Sequence, residues 1–183
     1  MDFTIIEYLK KGTPKQQDAY TVLTQYSIME CLQPYSPLLV GTVPIDIDIA
    51  NSDLDIVCYW EHINQFKLIL LKYFSGCKGF QIVDTMVQDQ RTVIANFMVE
   101  GFEIEIFGQN KPSKEQYAYR HMVVEYYFLL SKGNQFRQTI RELKEQGFKT
   151  EPAFAHALGL KGDPYLELLK YEEKLKPYLP SKG

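Results

Sequence analysis

The sequence predicts an α+β fold: N-terminal helices, a mixed β-sheet of about five strands, and a helical C-terminal third. Three observations predict it. Short apolar and alternating runs recur between residues 38 and 107, with one helical pattern among them. Ahead of them, two helical segments are separated by Gly12-Thr13-Pro14. From about residue 114 onward every segment has helical character, and Gly133, Gly147 and Gly162 mark the breaks.

Residues 3–11 and 14–33 read as helices. Thr13 is placed to cap the second and Pro14 to occupy its first turn, and Tyr20, Leu23, Ile28 and Leu32 supply its apolar stripe. Pro34 and Pro37 stop it. Leu38-Leu39-Val40 then reads as a buried strand running into a tight turn at Gly41-Thr42. In PIDIDIANS, Ile45, Ile47 and Ile49 alternate with Asp46 and Asp48, as in an edge strand or an extended loop. Residues 53–60 read as a strand. An amphipathic helix follows at about 61–75, with Ile63, Phe66, Ile69, Leu70 and Tyr73 on one side. Strands are predicted at about 80–88, 91–99 and 102–107, with Gly101 turning between the last two. Helices are predicted at 114–131, 134–146, 151–159 and 163–176. With no repeat or linker, residues 1–183 read as one domain, with a sheet-containing core to about 112 and a helical part beyond.

Composition bounds what such a chain can do. Its 183 residues are 45% hydrophobic and 23% charged, ordinary for a globular protein. A net charge of −3 argues against a protein that grips long nucleic acid, which takes clustered Lys and Arg. A small phosphorylated substrate remains compatible, since a metal ion or a few local cations suffice. The odd count of three cysteines, without a CxxC pair, fits reduced thiols, and Cys58 lies in an apolar run expected in the core. The start MDFTIIEYLKKG lacks a signal-peptide pattern, and no apolar stretch is long enough to span a bilayer. The expected location is the cytoplasm, with no membrane contact.

The chemistry is concentrated in Leu39-Val40-Gly41-Thr42, ten further residues, and Asp53-Leu54-Asp55-Ile56. In a strand, Asp53 and Asp55 present two carboxylates on one face, and Leu54, Ile56, Cys58 and Trp60 take the other. Carboxylates so close repel each other unless a cation compensates. Hard oxygen ligands suit Mg²⁺, which binds one or two carboxylates and completes its shell with water and phosphate oxygens. Glycine at the preceding turn lets backbone N–H groups approach a phosphate, and Thr42 adds a hydroxyl.

This arrangement resembles the nucleotidyltransferase superfamily that includes DNA polymerase beta and the aminoglycoside nucleotidyltransferases. Its signature is a hydrophobic residue, Gly, then Gly or Ser (Thr42 here), about ten residues, an acid-hydrophobe-acid strand, and a third acid on a later strand. Glu103 and Glu105 share a face in FEIEI, and similarity to an EIFG-type segment favours Glu105. The segments GTVPIDIDI, SDLDI, IEIFGQ, AYRHMVVEY and KTEPAFA also resemble a family of small bacterial proteins grouped with nucleotidyltransferases as a domain of unknown function. The resemblance implies transfer of a nucleoside monophosphate from an NTP, such as ATP, to an unidentified acceptor hydroxyl. It implies Asp53, Asp55 and Glu105 as catalytic residues holding Mg²⁺ or Mn²⁺, and Gly41, Thr42 and Ser52 as residues steadying the triphosphate. The other readings of the same chain are a nucleotide-binding regulatory module without turnover, or an interaction partner of toxin–antitoxin type.

Other polar residues have plainer readings beside functional ones. Asp46 and Asp48 read as a solvated edge face. Arg91, Arg120, His121 and Lys149 are candidate phosphate contacts, with the Arg120-His121 pair nearest the third-acid strand. His121 and Glu125, four apart, share a helix face, as an ion pair or a metal pair would. Thr150 reads as the N-cap of a helix whose first turn holds Glu151.

Overall fold

The computed structural model describes residues 1–175. Its centre is a five-stranded sheet in the order β1-β2-β5-β4-β3: β1 (Leu38–Val40), β2 (Leu54–Tyr59), β3 (Lys78–Val87), β4 (Gln90–Val99) and β5 (Phe102–Gln109). β2 and β5 run parallel, and every other pairing is antiparallel. The sheet is therefore mixed, as the sequence predicts.

Alternation along the strands gives the sheet two cores. Leu39, Leu54, Ile56, Cys58, Ile104 and Ile106 point to one side, against α1 (Pro14–Gln25), α2 (Ile28–Leu32) and α3 (Ile63–Phe74). Leu38, Val40 and Val57 point to the other, against α4 (Tyr117–Glu145), α5 (Thr150–Leu158) and α6 (Pro164–Leu169). A short α7 (Glu172–Leu175) follows. The expected end of the last helix, at 176, lies outside the described residues.

Several elements depart from expectation. Residues 3–6 are not helical, and only a 3-10 turn forms at Glu7–Lys11. The helix expected over 14–33 breaks after Gln25, where Ser27 adopts a left-handed φ of 51°. The reason is visible in the stripe itself: Leu23 to Ile28 is a step of five, which a continuous helix cannot keep on one face. In α3 the buried stripe is Phe66, Leu70 and Phe74, while Tyr73 is exposed, so the face turns one residue from the expected one. The helix expected over 163–176 is interrupted at Lys170 and Tyr171. Thr150 is the first residue of α5 rather than its cap, and Lys149 precedes it.

The largest departure is the stretch 45–49, which forms no strand. Residues 43–46 turn, Ile45 and Ile47 are buried among the C-terminal helices, and Asp46 has a left-handed φ of 59°. The alternation of Ile and Asp comes from a loop pinned at two apolar points. Asp46 is no solvated edge residue: Arg141 pairs with its carboxylate, Arg137 Nη1 lies 3.5 Å from Oδ2, and both arginines donate to its carbonyl, at 2.9 and 2.7 Å. From the other side Gln16 donates to the Val43 carbonyl at 2.8 Å and Lys15 to that of Ile49 at 2.7 Å. The loop between β1 and β2 is thus clamped between α1 and the second half of α4. Asp46→Ala removes the carboxylate and adds strain at positive φ, together about 2 kcal/mol. The melting temperature should fall by about 5 °C in thermal denaturation. An unchanged value would mean that the arginines hold this loop through its carbonyls alone.

Gly133 lies inside α4 with φ 77° and ψ −168°, which no helix accepts. The segment is two helices, as the break expected at Gly133 requires. A straight helix would set residues 125 and 144 about 28 Å apart. Instead Glu125 and Lys144 line the same cleft, so the chain reverses at this point. The reversal brings the second half of α4 back toward the sheet.

Candidate active site

The strand ends on the second face assemble one row of residues. Val40 of β1 is in register with Asp55 of β2, Asp55 with Glu105 of β5, and Glu105 with Asn96 of β4. Asp55 and Glu105 are therefore direct neighbours on adjacent strands. Asn96 Nδ2 donates to Glu105 Oε2 at 3.3 Å, orienting that carboxylate from its far side. Asp53 precedes β2 by one residue, on the same side as Asp55.

A cleft of about 470 Å³ opens over this row. Gly41, Thr42, Ser52, Asp53, Asp55 and Glu105 all line it, so the structure brings the six residues marked in the sequence to one place. Glu103 does not line it and is exposed. Gly41 has φ +81°, a conformation that L side chains rarely adopt, and a Cβ built there would stand well inside contact distance of Asp55 Oδ2. The missing side chain leaves room for that carboxylate. Behind it, Thr42 Oγ1 donates to Ser52 Oγ at 3.1 Å, and the Ile49 N–H donates to the same oxygen at 2.9 Å. These bonds tie the two ends of the loop together.

The electrostatics are those of crowded acids. Burial, then the charges of Asp53 and Glu105, push the Asp55 carboxyl up to about 8. The helix wall adds two more acids. Glu125 is 3% exposed, its Oε1 has no hydrogen-bond partner among the described residues, and burial followed by Glu151 raises it well above the usual carboxylate range. His121 Nδ1 lies 3.6 Å from Glu151 Oε1 and its Nε2 is 3.0 Å from the Tyr165 carbonyl, so its ion-pair contact is with Glu151 rather than Glu125. Lys144 Nζ donates to Thr150 Oγ1 at 3.1 Å.

The remaining basic candidates lie elsewhere. Arg91 is exposed and pairs with Asp84 at 3.0 Å. Arg120 forks onto Glu172, with Nη2 at 2.6 Å from Oε2, and lines a separate, larger cavity of about 1410 Å³ that holds none of the sheet acids. Lys149 is exposed and does not line the cleft. Lys144 and Asn96 carried no distinguishing signal in the sequence, and Glu125 was marked there only as a helix-face partner of His121. Thr150 and Glu151 stood in the KTEPAFA segment, whose similarity pointed to the place but not to the chemistry.

The donor set fits a hard divalent cation. It is all carboxylate, mutually repelling, and cradled by a glycine whose Cβ would collide with the central acid. Among the described residues no three His, Cys, Asp or Glu side chains converge tightly enough to ligate one ion together. Magnesium does not demand that, because one or two carboxylates with water and phosphate oxygens satisfy it.

This architecture is a nucleotidyltransferase-like fold, and solved structures with the same fold include a poly(U) polymerase and an RNA terminal U-transferase. Cid1 poly(U) polymerase bound to MgGTP matches with a TM-score of 0.52 at 13% identity, over 84% of this chain and 53% of that one. The polymerase core of TRAMP, an RNA surveillance complex, matches at 0.50 and 13%, over 86% and 49%. The GLD-2/RNP-8 complex matches at 0.50 and 14%, over 93% and 83%. The chain spans about half the length of the Cid1 structure. Residues 21–171 match the model of a family described as a domain of unknown function (DUF4269), and the chain belongs to that family. No curated protein matches it. No helix among the described residues is long and apolar enough to cross a membrane.

Proposed function

We propose that this chain is a divalent-metal-dependent nucleotidyltransferase, moving a nucleoside monophosphate from an NTP to an acceptor hydroxyl. The observation that carries the reading is the register of Asp55 with Glu105 beneath Gly41. It sets two carboxyl groups side by side, where a retained proton or a bound cation must relieve their repulsion. Asp53, Asp55 and Glu105 would hold Mg²⁺ or Mn²⁺. Such ions, when bound, neutralise the triphosphate and steady the attacking and leaving oxygens. The backbone at Gly41 and Thr42, with Ser52 bonded behind, would seat the phosphates. Glu105, oriented by Asn96, would accept the acceptor hydroxyl's proton. Lys144 is the lysine that could balance phosphate charge from the helix side.

The test is incubation with each labelled NTP and Mg²⁺ or Mn²⁺, following pyrophosphate and self-labelling. A thermal-shift titration runs beside it. NTP with metal should raise the melting temperature of the wild type, because a ligand bound only by the folded state stabilises it. Asp53→Asn and Asp55→Asn should lose that rise. Asp46→Asn should begin from a lower temperature yet keep it, since its carboxylate meets Arg137 and Arg141 instead. Equal responses from Asp46→Asn and Asp55→Asn would overturn the assignment. Among the described residues no three of these acids converge on one ion, which favours a second reading, nucleotide binding without turnover. A melting-temperature rise without any pyrophosphate would select it.

A further inference from the structure

The cleft holds more acidic groups than its lining offsets. Asp53, Asp55 and Glu105 stand on the sheet side, Glu125 and Glu151 on the helix side, and among the described residues Lys144 is the one lysine or arginine lining it. The Lys144 ammonium is not committed to any of these acids: its hydrogen bond goes to Thr150 Oγ1. Burial pulls it below the usual lysine range, while Glu125, Asp53, Glu151 and Asp55 hold its charge in place from both walls. On the same cleft wall, the buried Glu125 Oε1 has no hydrogen-bond partner among the described residues. An oxygen left so is costly, and a donor on a long flexible stem can satisfy it.

We propose that Lys144 is the resident cation of the cleft, with two seats: one on Thr150 between the two acid walls, and one on Glu125 Oε1, taken when a divalent cation enters beside Asp53 and Asp55. The inference rests on the metal site of the preceding section. A monovalent and a divalent cation in one partly buried cleft repel each other strongly. Metal beside Asp53 and Asp55 would take over the sheet acids, and the displaced ammonium would meet the one buried carboxyl oxygen that lacks a donor among the described residues. The lysine thereby keeps the metal-free cleft folded and sets the affinity at which metal enters.

Calorimetric titration of the full chain with Mn²⁺ alone, without nucleotide, tests this in four proteins: wild type, Lys144→Met, Glu125→Gln and the double variant. Lys144→Met should bind Mn²⁺ about 10-fold tighter than wild type, because the competing charge is gone. Its metal-free melting temperature should fall, as the carboxylates lose their counter-ion. Glu125→Gln should bind about 5-fold weaker, because the displaced ammonium has no carboxylate to go to. In the Lys144→Met background the same change should have little effect. Lys144→Arg, which keeps the charge, should stay within about 3-fold of wild type. Equal constants for wild type and Lys144→Met overturn the resident cation. An equal loss from Glu125→Gln in both backgrounds overturns the second seat. Absence of Mn²⁺ binding in every protein overturns the metal site itself and this inference with it, whereas equal binding overturns this inference alone.

Discussion

Asp55→Asn is expected to abolish pyrophosphate release, by about 10³-fold or more, while leaving the metal-free protein as stable as the wild type or more so. The loss follows from the position: Asp55 lies between Asp53 and Glu105, and a metal held there is worth several kcal/mol of charge stabilisation in the transition state. The stability follows from the same crowding. Burial and the two neighbouring acids push the Asp55 carboxyl up to about 8 from an ordinary 3.8. Between those values the folded chain holds a proton that the unfolded chain has released. Stability from this group is therefore complete below about pH 4 and declines as pH rises toward 8. The amide of Asn cannot ionise, so the variant should lack that decline. Metal-free melting temperatures measured from pH 4 to pH 8 should converge at the acid end and separate at the basic end, with the variant higher. Added Mg²⁺ favours the ionised carboxyl and should flatten the wild-type curve. Parallel curves for the two proteins would show that Asp55 is not the strained acid of the cleft.

What could be read from the sequence, and what could not, divides by the distance over which each feature is determined. Asp53 and Asp55 were legible because acids at period two within an apolar strand break the pattern that burial imposes, whereas Glu105 was preferred over Glu103 only through similarity to an EIFG-type segment. The two faces of β2 followed from the same period: Leu54, Ile56 and Cys58 pack on one core and Val57 on the other. Gly133 and Gly147 marked helix breaks because a local conformation demanded them. The stretch 45–49 was misread for the opposite reason. Its alternation has the strand period, but the backbone is bent by Arg137 and Arg141, more than ninety residues away, and by the burial of Ile45 and Ile47 under helices not yet placed. Lys144 had no local mark at all. It reaches the cleft because α4 reverses at Gly133, and only then does an ordinary helix-face lysine stand among four carboxylates. Arg120, which a reading by proximity in sequence preferred, is turned to Glu172 instead. The walls of such a cleft come from widely separated segments, and the helix wall is the less predictable one.

Gly41→Ala should be strongly damaging for a single added methyl, because two independent costs fall on one atom. The first is conformational: φ of +81° places an L side chain in the left-handed region, at about 1–2 kcal/mol. The second is steric. The new Cβ would overlap Asp55 Oδ2, and that carboxylate can yield only toward Asp53 or Glu105, whose charges already repel it. Together the costs are about 3 kcal/mol, which lowers the melting temperature by roughly 6–12 °C in a chain of this length. If Asp55 holds the metal as proposed, activity should fall further than stability explains, since moving such a carboxylate by about 1 Å costs on the order of 10²-fold. A double-mutant cycle separates the two costs. In Asp55→Ala the collision partner is gone, so adding Gly41→Ala should cost only the conformational part, about half of its effect in the wild type. If the methyl costs the same in both backgrounds, Gly41 is required for the turn alone, and its contact with Asp55 has no part in shaping the site.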